Sequence, residues 1–284
     1  LSVSFSPHSI YGSAVLMKLL LCLTEGITLL FLLPALLKQY RLPPANALWY
    51  ALNPLVMVEV VGNLHFEGAM LCLLLAALLF LNRGRLWISG MLWAGAIAAK
   101  LLPLIFLPLL IRPLGLRASL KYFLATGLSL IVLFFPLWSG NFLPHFSESL
   151  DLYFRTFEFN ASIYYLTRWV GQQMLGYNPI AIIGPALSLL TLAGILALAW
   201  LPSWFSLPER MLLSITLYLL LPTTVHPWYL VLLLGLTPLT QLRYPAVWSG
   251  LIMLSYAHYW GGSFTEKYAL IALEYLILFV FLCR

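Results

Sequence analysis

Apolar runs follow one another along almost the whole 284-residue chain, and this patterning constrains the fold more than any other feature. Hydrophobic residues make up 62% of the sequence and charged residues only 8%, whereas a typical soluble domain has about 25% charged residues. A soluble core of this size cannot bury so many apolar side chains. The sequence therefore predicts an all-α, polytopic transmembrane protein. It excludes a cytosolic enzyme, and the scattered basic residues exclude a nucleic-acid-binding domain.

The membrane passes are predicted from the apolar runs between charged and turn residues. A bilayer core needs about 20 apolar residues per helix, and several runs are shorter than that. Lys100 alone separates two of them, which form a tight hairpin, a re-entrant segment or one broken helix. We expect about ten passes in a single transmembrane domain over residues 1–284. The runs are 14–37, 45–61, 67–81, 86–99, 101–111, 120–138, 178–201, 210–222, 228–241, 245–259 and 268–283.

Lys and Arg concentrate in one set of alternating loops, which the positive-inside rule assigns to the cytoplasm. The opposite set carries most of the acidic residues and is predicted to be external, with Leu1 on that side. A chain that begins outside is expected to lack an upstream helix and loop. The cytoplasmic set comprises Lys38, Arg41, Arg83, Arg85, Arg112, Arg117, Lys121, Arg210, Arg243 and Arg284.

The longest polar stretch, residues 139–177, belongs to the external side and is rich in aromatic residues. Aromatic side chains suit a membrane interface, so we expect part of this stretch to form an interfacial helix. Its triplet Asn160-Ala161-Ser162 matches the N-glycosylation pattern, which is common by chance.

The densest polar group in the apolar sequence runs from Asn53 to Glu67. Pro54 is expected inside a span, where Asn53 would satisfy the carbonyl that the proline frees. Ionisable residues at membrane depth are costly, and each is therefore a candidate for function.

Within that group, Glu59, Asn63 and Glu67 fall about one helical turn apart and can share a face. Together with His65, they can bind sugar hydroxyls, orient a nucleophile or hold a divalent cation. The alternative is an ordinary polar cap at a helix end. The sequence leaves a metal requirement undecided.

Lys100 and His226 are the other isolated polar groups on the predicted external side. A lone lysine there can bind a lipid-linked phosphate, or it can extend its ammonium to the headgroups. His226 precedes Pro227, which holds it rigidly, and can donate to a phosphate or a sugar hydroxyl. Its neighbour Tyr229 is a candidate contact or a residue of the interface belt.

The external stretch adds Arg155 and Glu158 as candidate substrate contacts. An arginine there can clamp a phosphate, and neighbouring aromatic rings can stack on a sugar. A solvated loop surface explains the same residues equally well.

Three motifs resemble the GT-C class of membrane glycosyltransferases, within it the bacterial polyprenyl-phosphate-sugar-dependent, mannosyltransferase-like enzymes. They are N-P-L-x-x-x-E-x-x-x-N-x-H-x-E from Asn53, A-K-L-x-P-L around Lys100 and T-T-V-H-P-W-Y ending at Tyr229. The resemblance extends over nearly the whole chain and includes residues 157–165.

This resemblance implies an inverting transferase that moves a sugar, with mannose as one candidate, from a polyprenyl phosphate to a glycan or lipid acceptor. It implies a bacterial inner-membrane protein whose active face is periplasmic, and a principal base in a first external loop before Leu1. The site residues would be Glu59, His65 and Glu67 for catalysis, and Asn63, Lys100, Arg155, Glu158, His226 and Tyr229 for substrate binding.

Two other functions remain open at this stage. One is a transporter or flippase of a lipid-linked or polar solute, although the halves show no convincing repeat. The other is a non-catalytic subunit of a membrane complex.

Overall fold

The computed structural model describes residues 8–138, 142–201, 204–262 and 264–282. This part of the chain is helical, as predicted, and its extended pairing is the bridge between Phe159 and Thr224. The helices of the first half are α1 (Ile10–Tyr40), α2 (Pro54–Gly62), α3 (Glu67–Leu81), α4 (Leu86–Ala99), α5 (Leu102–Leu114) and α6 (Leu116–Leu137). Two single turns, Pro44–Ala47 and Leu48–Ala51, connect α1 to α2.

The second half begins with two helices from the predicted interfacial stretch. The first of them is amphipathic in sequence, with Phe142 and Phe146 alternating with His145 and Glu148. The helices are α7 (Phe142–Arg155), α8 (Ile163–Leu175), α9 (Ile180–Ala199), α10 (Leu207–Leu220), α11 (Pro227–Leu239), α12 (Tyr244–Leu251, continued as the 3-10 helix Ile252–Tyr259) and α13 (Tyr268–Leu282).

Three of these helices, α1, α6 and α9, are long and apolar enough to cross a bilayer. The bent pair α2–α3 makes a fourth if it counts as one span, and α4, α5, α11 and α13 are apolar but shorter. A helix of 15 residues is about 22 Å long, against about 30 Å of hydrocarbon. The apolar helices indicate a membrane protein, and among the residues that the structure describes three or four of them meet this length criterion.

The core lies around α3 and α11, where every residue of Leu230–Leu236 is buried. A Cβ on Gly235 would lie 2.3 Å from Cδ2 of Leu71, so glycine is needed for the close approach of the two helices. The three long helices are mostly exposed instead, with between 17% and 33% of their apolar windows buried. This distribution is typical of a bundle whose outer helices face lipid.

A turn at residues 82–85 reverses the chain between α3 and α4, which have 15 and 14 residues. Because the helices are nearly equal in length, Lys100 returns to the end of the bundle where Glu67 begins α3. The chain then folds back again, since the indole of Trp93 donates to the carbonyl of Pro103 at 3.1 Å. Ten residues of continuous helix would separate these groups by about 15 Å. Residues 86–111 are therefore not one continuous helix, and the hairpin and the re-entrant segment both agree with this fold-back.

The other end of the bundle gathers loops of the basic set. The side chain of Asn82 donates to Gln39 at 3.1 Å and lies 3.5 Å from the hydroxyl of Tyr40, which places the ends of α1 and α3 together. Arg112 donates to the carbonyl of Trp200 at 2.6 Å. Loops that the charge pattern assigns to one side therefore meet at one end of the bundle.

Two predictions about residues 45–61 are wrong: that the run forms one element, and that Pro54 lies inside a span. Pro54 does not lie inside a span but starts α2, a position where its missing N–H costs nothing. Asn53 caps that helix through Leu55 N at 3.0 Å and donates to Ser249 Oγ at 2.8 Å. The run is thus broken at Asn53, and its second half is the short helix that carries Glu59.

Candidate functional site

Glu59 lies on a π-helical turn, Met57–Gly62, and is fully buried. Its oxygen Oε2 accepts from Nδ2 of Asn63 at 3.1 Å and lies 3.4 Å from Nε2 of His65. Its oxygen Oε1 accepts from the hydroxyl of Tyr256. Single π-helical turns inside helices occur frequently at functional sites. We call these four residues the Glu59 group.

Glu67 begins α3 after a bend of 110° between α2 and α3. The prediction that it shares a helical face with Glu59 and Asn63 is therefore wrong, because the helix ends between them. Its buried carboxylate instead forms an ion pair with Lys100, whose side chain is 29% exposed. The Lys100 ammonium also lies 4.6 Å from the ring centroid of Tyr229, a distance at which cation–π attraction contributes.

Four stacked rings connect these groups to the segment before α11. His65 stacks on Trp228 at 4.0 Å, Trp228 on His226 at 4.2 Å, and His226 on Phe159 at 4.6 Å between ring centroids. We call this set the ring stack. It joins the connection between α2 and α3, the external stretch, and the start of α11 with the residue before it.

His226 is 8% exposed and lies outside the helices, at the end of the segment that follows α10. Burial lowers its pKa to about 4, and the nearby Lys100 and His65 act in the same direction. At neutral pH the ring is therefore uncharged and offers one N–H donor and one acceptor nitrogen. It can hydrogen-bond a hydroxyl or a phosphate oxygen, while Lys100 supplies the positive charge.

Glu158 belongs to a second group. Its carboxylate accepts from Tyr164 at 2.6 Å and from Asn178 at 2.7 Å, and it forms an ion pair with Arg168. This Glu158 cluster is connected to the ring stack through the backbone. Phe159, the residue after Glu158, donates its N–H to the carbonyl of Thr223 at 3.0 Å. Arg155 ends α7, and its side chain lies outside the described residues, as do Leu1 and Arg284.

Asn160 is fully buried, and its side-chain amide donates to Glu274 at 3.1 Å. Its φ of 47° is in the left-handed region that asparagine tolerates better than most residues. A buried, bonded amide is not available for glycosylation. The contacts of Asn160 with Glu274 and Tyr275 instead hold the backbone next to Phe159.

The structure thus brings Glu59, Asn63, His65, Glu67, Lys100, His226 and Tyr229 together and leaves Glu158 apart.

Sequence reasoning missed Tyr256, which is an unremarkable tyrosine in an apolar run. It named neither Trp228 nor Phe159 as a site residue. Within the described ranges, no three His, Cys, Asp or Glu side chains form a group that can hold a metal ion.

Comparison with known protein families gives a match over the first part of the chain. Residues 2–114 match the family model described as the N-terminal domain of alpha-(1->6)-mannopyranosyltransferase. This is less than half of the chain, and it includes Glu59, Asn63, His65, Glu67 and Lys100. The similarity points to a glycosyltransferase of the mannosyltransferase type. No curated protein and no solved structure matches the chain.

Proposed function

We propose that the protein is an inverting glycosyltransferase of the GT-C class, which moves a sugar from a polyprenyl phosphate to a glycan or lipid acceptor. The observation that carries the proposal is the convergence of two carboxylates, two imidazoles and Lys100 at one end of an apolar bundle. Mannose is the candidate sugar, because the family model matched by residues 2–114 is that of a mannopyranosyltransferase.

Lys100 is the residue proposed to hold the donor's phosphate. A lysine acts as a point charge toward phosphate, and the adjoining ring of Tyr229 limits the approach of water to one side of the ammonium. Glu67 balances this charge in the structure. The phosphate would take over that balance, while the neutral ring of His226 donates to a phosphate or sugar oxygen.

An apolar groove of about 580 Å³ begins at Leu101, the residue after Lys100. The polyprenyl chain of the donor is already out of water in the bilayer, so the groove suits it through van der Waals packing against apolar side chains and not through a hydrophobic gain. It is lined by Leu101, Leu130, Ile131, Phe134, Phe135, Trp138, Phe142 and Phe146.

The Glu59 group is proposed to act on the acceptor. Glu59 takes the proton of the acceptor hydroxyl as that oxygen bonds to the anomeric carbon from the face opposite the phosphate. The bond between the anomeric carbon and the phosphate oxygen breaks, and the electron pair leaves with the polyprenyl phosphate. His65 contacts Glu59 and is itself a member of the ring stack. It would receive the proton from Glu59 and pass it on. The resemblance implies instead a base before Leu1 for this proton; that alternative stays a prediction, and a normal rate for Glu59→Gln would favour it.

The placement in the membrane belongs to the same proposal. We propose about ten passes, with the short helices crossing as partial or tilted spans, and the Glu59 group at the external face of a bacterial inner membrane. Two observations support it: loops of the basic set meet at one end of the bundle, and the polar cluster lies at the other.

A transfer assay tests the proposal. Membranes that contain the protein are incubated with polyprenyl-phosphate-[³H]mannose, and label is followed from the lipid donor into a glycan or lipid product. We expect transfer by the wild type and a rate at least tenfold lower for Glu59→Gln. The matched control is Glu148→Gln, because Glu148 is 74% exposed on α7 and should leave the rate within about twofold.

Two results would contradict the proposal. One is a wild type that forms no product, or that moves the donor across the bilayer without transfer, as a flippase would. The other is a Glu59→Gln variant that is as fast as the wild type.

A further inference from the structure

Tyr256 is brought to Glu59 by the fold from 197 positions further along the chain. It lies on the 3-10 helix Ile252–Tyr259, which continues α12, and its hydroxyl donates to Oε1 of Glu59. The same hydroxyl lies 3.5 Å from Nδ2 of Asn63. Tyr256 therefore joins a helix of the second half to Glu59 on the π-helical turn and to Asn63, the residue that follows the turn.

The two carboxylate oxygens of Glu59 have different surroundings. Oε2 faces Asn63 and His65, which belong to the same stretch of chain, whereas Oε1 faces Tyr256. A carboxylate has about four lone-pair sites, so one site on Oε1 remains next to the tyrosine hydroxyl. An incoming hydroxyl that bonds to Oε1 would therefore lie against Tyr256.

Tyr256 lies nearer to the surface than the carboxylate of Glu59. The carboxylate is fully buried, while Tyr256 is 37% exposed. A buried carboxylate with a free rotamer could turn away from the acceptor. Hydrogen bonds to both of its oxygens, one from Asn63 just after α2 and one from Tyr256 on the helix that continues α12, fix the plane of the carboxylate.

We propose that Tyr256 is a positioning residue that fixes the plane of Glu59 and directs the free site of Oε1 toward the acceptor hydroxyl. The inference rests on the proposed function, because it assigns Tyr256 to the same acceptor site. Tyr256 acts through Glu59 and does not itself take the proton.

The experiment compares Tyr256→Phe, Glu59→Gln and the double variant in the transfer assay. A hydrogen bond to a charged group contributes about 1.5–3 kcal/mol, which corresponds to roughly tenfold or more in rate. We expect kcat of Tyr256→Phe to fall at least tenfold while the KM for the donor stays within about twofold. In the Glu59→Gln background, the second substitution should change kcat by less than about twofold, since the carboxylate it positions is gone.

The control is Tyr259→Phe, three residues along the same helix. Tyr259 is 54% exposed, so water can replace its hydroxyl and activity should be unchanged. Tyr256→Phe keeps the ring, and its thermal midpoint should remain close to that of the wild type. The inference is overturned if Tyr256→Phe keeps the wild-type kcat, or if it slows Glu59→Gln by the same factor as the wild type. An inactive wild type would overturn the proposed function itself.

Discussion

At the scale of single residues, the ion pair of Lys100 and Glu67 is the strongest electrostatic feature of the cluster. The Glu67 side chain is 2% exposed and that of Lys100 is 29% exposed. Removing one partner of a buried pair costs about 3–5 kcal/mol, because the other charge remains buried. The partial exposure of Lys100 reduces that cost by solvent screening.

We therefore expect Lys100→Met to lower the thermal midpoint of the purified protein in detergent. Adding Glu67→Gln should restore most of the loss, since the double variant has no unpaired charge. A calorimetric or fluorescence melt of the three proteins measures this. Equal midpoints for the wild type and Lys100→Met would show that the pair does not stabilise the fold.

His226 gives a prediction for pH dependence. Its pKa is lowered from 6.5 to about 4 in the folded protein. Between these values the unfolded chain binds a proton that the folded chain does not, so stability falls as the pH falls from about 6.5 to 4. The loss at pH 4 is up to about 3 kcal/mol, and above pH 6.5 this group contributes no pH dependence.

Midpoints recorded from pH 7.5 to 4.5 test this sign. The wild type should lose stability over this range more steeply than His226→Gln. His145→Gln serves as the control, because the His145 side chain is 74% exposed on α7 and its substitution should leave the slope unchanged. A slope that His226→Gln does not alter would contradict the assignment.

At the scale of helices, Gly68 determines how closely α3 approaches α2. A Cβ on Gly68 would lie 2.5 Å from Cγ1 of Val60 and 2.6 Å from Oε1 of Glu25. Overpacking of this kind costs about 1–3 kcal/mol. It would also move Glu67 and the π-helical turn that carries Glu59.

We expect Gly68→Ala to lower both the thermal midpoint and the transfer rate. Gly127→Ala is the matched control, since it lies within α6 with no atom within 4 Å of the new Cβ, and alanine is favoured over glycine in a helix. Unchanged activity in Gly68→Ala would show that α2 and α3 adjust without moving the site.

The boundaries of the helices show how much of the fold the sequence can predict. The runs 67–81 and 86–99 match α3 and α4 at both ends, because charged and turn residues bracket each apolar stretch. The run 45–61 was predicted as one element and is broken at Asn53, since hydropathy does not register a cap followed by a helix-starting proline. Glu67 was expected on the face of Glu59 for a related reason: periodicity assumes a helix that in fact ends at Gly62.

At the scale of the whole molecule, the sequence could place Glu59, Lys100 and His226 on one predicted side but could not show that they meet. Their meeting depends on the nearly equal lengths of α3 and α4 and on the ring stack. Tyr256 could not be found in this way, because its contact with Glu59 spans 197 positions and its neighbours in sequence are mostly apolar. Long-range pairing, unlike helix location, is not encoded in local hydropathy.

The proposed membrane orientation is also a whole-molecule prediction. In a background without Cys22, Cys72 and Cys283, an impermeant maleimide should label Tyr177→Cys in intact cells whose outer envelope is open. It should label Arg85→Cys only after the inner membrane is permeabilised, because Arg85 belongs to the predicted cytoplasmic set. The reverse pattern would place the Glu59 group at the cytoplasmic face and contradict the orientation.

The most direct test of the account is the affinity of the protein for polyprenyl phosphate in lipid nanodiscs. The wild type should bind it, and Lys100→Met, kept below its thermal midpoint, should bind at least tenfold more weakly. Lys18→Met, an exposed lysine on α1, should bind like the wild type. Equal affinity of the wild type and Lys100→Met would contradict the assignment of this cluster to the phosphate of a lipid-linked sugar.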